Sequence, residues 1–70
     1  MGGAAFRTAL VALNLDVPAF ARVLIALGDV RPWRTVVRQV QAWATDELEV
    51  PESVRCLVEL MRLCPAWRNV

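Results

Sequence analysis

The chain has 70 residues, of which 57 % are hydrophobic, and its formal net charge at pH 7 is +1. This length allows one small domain, and the apolar content excludes a disordered chain, which lacks the surface that offsets ordering entropy. No run approaches the ~20 apolar residues of a membrane helix, and the N-terminus lacks the pattern of a secretory signal. We therefore expect one cytoplasmic domain over residues 1–70 with no membrane contact and with flexible ends at about 1–3 and 66–70.

The residue types of most catalytic and metal sites are missing. The chain has no histidine, no glycine-rich phosphate loop and no nucleophile motif. Cys56 and Cys64 lie eight residues apart in one predicted helix, a separation of about 12 Å that is too long for a disulfide. We expect two reduced, partly buried thiols. The sequence thus predicts no enzyme, no catalytic residue, no metal site, no cofactor and no small-molecule substrate.

The first two predicted helices cover residues 4–13 and 17–27. Apolar side chains recur at helical spacing in both, and Ala21 is small enough for another helix to approach closely. Asn14 ends the first helix, Asp16 caps the second, and Gly28 ends the second. The expected buried residues are Phe6, Leu10 and Leu13 in the first helix and Phe20, Val23, Leu24 and Leu27 in the second.

A turn at residues 28–32, or as long as 27–33, leads to a third predicted helix that ends at Ala44. Its apolar positions are 33, 36, 37, 40 and 43, which form a continuous helical stripe. A loop follows at residues 45–50. Pro51 and Glu52 suit the first turn of a fourth helix, whose apolar face carries Val54, Leu57, Val58, Met61 and Cys64 before Pro65 ends it. The sequence therefore predicts an all-α bundle of about four short helices.

Charge is distributed unevenly along the chain. Residues 22–38 hold four arginines and one acid, whereas residues 46–59 hold five acids and one arginine. Such a dipolar arrangement can orient a protein on a charged partner. The alternative is two ordinary solvated helix faces.

The polar side of the third helix predicts a DNA-reading surface. Arginine and glutamine are the side chains that reach guanine and adenine edges in the major groove, so Arg38, Gln39 and Gln41 are the candidate base contacts. Arg34 and Thr35 lie in the first turn, near a phosphate or a groove edge. Arg22 and Arg31 are the further candidate phosphate contacts. The alternative is that these residues only keep an exposed face soluble.

Three segments carry a resemblance to a known family. They are PAFARVL, TVVRQVQAWATDEL and the Val50–Pro51 pair with the apolar helix after it. Together they resemble the helix-turn-helix domains of phage-repressor-like regulators, over most of residues 8–64. The resemblance implies a DNA-binding transcription regulator of a bacterium or phage.

One departure points to a variant of that family. Ala21 and Val40 are nineteen positions apart, farther than in the usual arrangement. The chain is more similar to the extended-turn variant found in regulators of integrative and conjugative elements, which also places a Trp, a basic residue and a Thr at this point, here Trp33-Arg34-Thr35. Some members of that group bind DNA, and others are antiactivators that dock on a transcription activator. The resemblance therefore implies either double-stranded DNA or a transcription-factor partner, and an antitoxin that combines both activities stays open.

A protein interface is the second kind of site that the sequence suggests. Trp33, beside arginines at a helix start, is typical of a binding hot spot. The fourth helix spreads apolar residues around more than one face, which makes it the candidate surface for a homodimer. The residues in question are Leu57, Leu60, Met61 and Leu63.

Overall fold

The computed structural model describes residues 1–65, which form four α-helices and no strand. The helices are α1 (Gly3–Ala12), α2 (Val17–Ala26), α3 (Trp33–Ala44) and α4 (Glu52–Leu63). They pack into a body of 30 × 26 × 19 Å. The predicted all-α bundle of four short helices is confirmed, and residues 66–70, the predicted loose tail, lie outside the described part of the chain.

Three helices end in the same motif. Asn14, Gly28 and Asp46 follow the last turns of α1, α2 and α3 with positive φ angles of 59°, 114° and 68°. The next N–H group then donates back across the final turn, from Leu15 to Leu10, Asp29 to Leu24 and Glu47 to Ala42. This is the Schellman arrangement, which satisfies carbonyls left unpaired at a helix end. The predicted stops at Asn14 and Gly28 are confirmed.

The helix starts follow the local sequence less closely. The Asp16 carboxylate accepts a hydrogen bond from the Ala19 N–H at 2.8 Å, so the predicted N-cap of α2 is confirmed. Helix α1 begins one residue earlier than expected, at Gly3. Gly3 lies within the end expected to be flexible, but it is buried, and its N–H donates to Oδ1 of Asp46 at 3.0 Å.

Aromatic side chains join three helices at the centre of the core. The Phe6 ring meets Phe20 edge-to-face at a centroid distance of 5.5 Å and meets Trp43 in the same way at 6.0 Å. Ala21 is fully buried, as expected for a small residue where helices approach closely. Helix α4 also contributes to the core. Its buried residues are Val54, Val58 and Met61.

Several residues expected in the core are exposed instead. Helix α2 ends at Ala26, so Leu27 lies beyond the last covered turn and is 63 % exposed. Cys56 and Cys64 are free and exposed, which corrects the expectation of partly buried thiols.

Candidate functional site

The outer face of α3 is polar along its length. Arg34, Arg38 and Gln41 are exposed and follow one another at the three- and four-residue spacing of a single helix face, and Thr35 is exposed beside Arg34. The opposite face is held in the core by Val36, Val40 and Trp43. Because the apolar face fixes the rotation of the helix, four of the predicted DNA-contacting residues point outward together.

Two adjoining shallow clefts meet at Trp33. One lies between α2 and the start of α3, and the other runs along the outer face of α3. We call both clefts together the Trp33 surface. Its lining residues are Arg22, Ile25, Ala26, Trp33, Arg34, Val37, Arg38 and Gln41.

Arg22 connects α2 to the start of α3 at this surface. Its guanidinium carbon lies 5.6 Å from the centroid of the Trp33 ring, which is a cation–π distance. The sequence predicted Arg22 and Trp33 as separate contacts, for a phosphate and for a protein. The structure brings them together, with the Arg22 guanidinium over the Trp33 ring.

Arg31 forms an ion pair and hydrogen bonds with other residues of the protein. Its Nε donates to Oδ1 of Asp29 at 3.0 Å, and one terminal nitrogen lies 2.7 Å from the other carboxylate oxygen. The second terminal nitrogen donates to the side-chain oxygen of Gln39. The Arg31 hydrogen bonds lower the pKa of Asp29 to about 2. Arg31 and Gln39 are both predicted DNA contacts. Their hydrogen bond links the connection between α2 and α3 to helix α3.

Carboxylates are absent from the first three helices. Helices α1, α2 and α3 contain no Asp or Glu, and within residues 1–65 Arg22, Arg34 and Arg38 form no ion pair. On α4, Glu52 pairs with Arg55 and Glu59 with Arg62, which lowers the pKa of both carboxyls through the arginine hydrogen bonds. Of the four acids within residues 1–65 that form no ion pair, three lie in residues 46–49, which we call the acidic loop, and the fourth is Asp16, the N-cap of α2.

The predicted dimer surface on α4 is narrower than expected. Leu60 and Leu63 are 60 % and 67 % exposed, and Leu57 is partly buried. Met61 is only 3 % exposed, because it shares the inward face with Val54 and Val58. The apolar residues of α4 therefore lie on two faces. One face is buried in the core, and the other, with Leu60 and Leu63, is exposed.

Sequence reasoning missed the apolar part of the Trp33 surface. Ile25 lies one helical turn after Arg22, and that spacing was the available signal. Val30 and Leu27, in the connection, are 96 % and 63 % exposed. Helical periodicity cannot reveal such positions, since they lie outside the helices.

Compared with known proteins, the chain matches no family model, no curated protein and no solved structure. Among residues 1–65, no single helix is both long and apolar enough to cross a membrane, although α1 and α2, bent by 81°, reach that length and composition as a pair. No group of three or more acidic or cysteine side chains in this part of the chain is placed to hold a metal ion.

Proposed function

We propose that the chain is a small transcription regulator that binds double-stranded DNA with the outer face of α3. The observation that carries this proposal is the arginine-bearing face of α3, which no carboxylate of α1, α2 or α3 offsets. Arg38 and Gln41 lie one turn apart on that face and supply the donors that read guanine and adenine. An α-helix with its side chains is about 10–12 Å in diameter, which suits a major groove about 12 Å wide.

Phosphate contacts fit the start of the same helix. Arg22 and Arg34 flank Trp33, and both are exposed. Pro32 occupies the N-cap position of α3 and supplies no side-chain acceptor, so the first N–H groups of the helix are available to an anion. In this proposal Arg31 and Gln39 stabilise the connection between α2 and α3. The protein acts in the bacterial cytoplasm and regulates genes of a mobile element, as the resemblance implies.

Fluorescence anisotropy with a pool of duplex DNA at several salt concentrations tests the proposal. We expect the logarithm of the affinity to fall with the logarithm of salt by about 0.9 per phosphate contacted. The variant Arg34→Ala/Arg38→Ala should lose most of this binding. The matched control Arg55→Ala/Arg62→Ala removes the same charge from α4 and should retain it. Absence of binding at low salt, or equal losses in both variants, would overturn the proposal.

Individual roles separate once a preferred duplex has been selected from the pool. Arg38→Ala should reduce discrimination against a wrong base by ~1–3 kcal/mol. Arg22→Ala should instead weaken binding to all sequences alike and lower the salt slope by about one. An Arg38→Ala variant with unchanged discrimination would remove Arg38 from the base-reading role.

A second candidate is an antiactivator that docks on another regulator. The exposed apolar residues near the start of α3, Val30 at 96 % and Trp33 at 43 %, favour it, because Trp is enriched among the residues that dominate binding at protein interfaces. An antiactivator would show no salt-dependent affinity for the duplex pool. Its effect in a reporter assay would then depend on Val30 and Trp33 rather than on Arg38.

A further inference from the structure

The two ends of α3 carry opposite charge. Arg22 and Arg34 lie at its N-terminal end, and the acidic loop, with Glu47 and Glu49, follows its C-terminal end. The helix dipole has the same sense, positive at the start and negative at the end. About 18 Å of helix separates Trp33, at the start of α3, from the acidic loop after its end, so one molecule presents both charged ends at once.

Each end also has an apolar centre. Leu48 is 50 % exposed and stands between Glu47 and Glu49 in the acidic loop. Trp33 and Ile25 are 43 % and 36 % exposed in the cleft that Arg22 borders. An apolar contact surrounded by charges of opposite sign is the usual composition of a specific protein interface.

We propose that the acidic loop of one copy of this chain docks on the Trp33 surface of a second copy. Leu48 covers Trp33 and Ile25, while Glu47 and Glu49 pair with Arg22 and Arg34. The net charge of +1 leaves little overall repulsion between copies. A four-residue loop covers a small area, so the association is weak and depends on concentration.

Self-association of this kind covers the face of α3 to which the proposed function assigns DNA. The acidic loop then occupies the place of phosphates, and DNA and a second copy compete. Only this competition rests on the proposed function. The docking itself follows from the charges and exposure of the two surfaces and is measurable without DNA.

Analytical ultracentrifugation of the full chain, without DNA, tests the docking. We expect reversible association at low salt that is lost near 1 M salt, where the screening length falls to about 3 Å. Glu47→Gln/Glu49→Gln should raise the dissociation constant by about threefold to tenfold. Glu52→Gln/Glu59→Gln makes the same change of charge on α4 and should leave the constant unchanged. Asp46 is kept in every variant because its carboxylate accepts a hydrogen bond from the Gly3 N–H.

Charge reversal makes the test specific for the two surfaces. Arg22→Glu/Arg34→Glu and Glu47→Arg/Glu49→Arg should each fail to self-associate, while an equal mixture should associate again because each altered surface meets an opposite charge. Circular dichroism confirms that both variants are folded. Failure of the mixture to associate would overturn the proposal. So would association that is lost in Leu60→Ser/Leu63→Ser and kept in Glu47→Gln/Glu49→Gln, since it would place the interface on α4.

Addition of duplex DNA to the self-associated protein tests whether DNA and a second copy compete for α3. The expected result is dissociation of the protein oligomer as DNA occupies α3. If the charge-swap mixture associates but DNA neither binds nor competes, the proposed function fails and the docking stands. If DNA binds and no self-association occurs at any concentration, the docking fails and the proposed function stands.

Discussion

At the scale of single residues, Arg31 illustrates how a charge can be used for structure. It donates from its backbone and side chain to Asp29 and from its other terminal nitrogen to Gln39. Asp29 is the only acid between α2 and α3, so the connection supplies its own counter-charge. The sequence alone did not reveal the pairing of Arg31 with Gln39, because residue type and helix position carry no information about a partner eight residues away.

The Asp29 carboxyl gives a direct test of this pairing. Hydrogen bonds from Arg31 lower its pKa from 3.8 to about 2, so the pair stabilises the folded state above about pH 4, and this contribution is lost as the pH falls towards 2. In an NMR titration we expect Asp29 to titrate near 2 in the unaltered protein and at a higher pH in Arg31→Ala, although still below 3.8, because the backbone N–H of residue 31 continues to donate to its carboxylate. Arg34→Ala is the control and should leave the pKa of Asp29 low. A value near 3.8 in the unaltered protein would contradict the pairing.

At the scale of elements, the end of α3 holds the start of α1. The Asp46 carboxylate accepts the Gly3 N–H, and the Arg7 side chain donates to the carbonyl oxygen of Ala44 one turn further along α1. A Cβ on Gly3 would lie 3.0 Å from backbone atoms of Trp43 and Asp46. Glycine is therefore required at this position by close packing rather than by its φ angle.

Gly3→Ala should destabilise the protein for this reason. Crowding against backbone costs about 1–3 kcal/mol, which exceeds the ~0.4–1 kcal/mol gained when alanine restricts the unfolded chain. Gly2→Ala is the matched control, because a Cβ there meets nothing within 4 Å. Urea denaturation should show a lower midpoint for Gly3→Ala than for Gly2→Ala, which alters only the N-cap of α1. Equal midpoints would contradict the close contact of α1 with the end of α3.

The elements also show which parts of the fold are readable from sequence. Asn14, Asp16 and Gly28 were predictable, because helix ends are determined by the residues next to them. The left-handed conformation of Asp46 and its bond to Gly3 were not, since that partner lies 43 residues away in the chain. Periodicity likewise indicated the buried faces of the helices but not which ends of those faces a neighbour covers, so the exposure of Leu27 was not predicted.

The same division applies to the candidate site. The shared outward face of Arg34, Arg38 and Gln41 was predictable, because it needs only the helical period and a buried opposite face. The contact of Arg22 with Trp33 was not, because it depends on how α2 and α3 pack. Long-range packing thus decides which of the predicted contacts form one surface.

At the scale of the whole molecule, the charged side chains and the apolar core occupy separate regions. Arginines and acids lie on the surface, and within residues 1–65 no charged or polar residue is buried. Stability therefore rests on a small apolar core, in which Phe6 touches both Phe20 and Trp43. Variants of the surface charges should change binding while leaving that core intact, which is what makes the charge-reversal design feasible.

The Phe6 contacts lead to a prediction about the free energy of unfolding. A chain of 70 residues has a total stability of about 4–10 kcal/mol, and each edge-to-face pair contributes ~0.5–1.5 kcal/mol beyond its buried area. Phe6→Leu loses two such pairs and leaves a small cavity, so we expect a loss of about 1–3 kcal/mol. Urea denaturation should show a lower midpoint with an unchanged slope. Val11→Ala, on α1 but 77 % exposed, should stay within about 0.5 kcal/mol of the unaltered protein. Equal effects of the two variants would mean that Phe6 does not join the three helices. A distinct loss for Phe6→Leu would show that the aromatic contacts among α1, α2 and α3 contribute to the stability of the fold that positions α3.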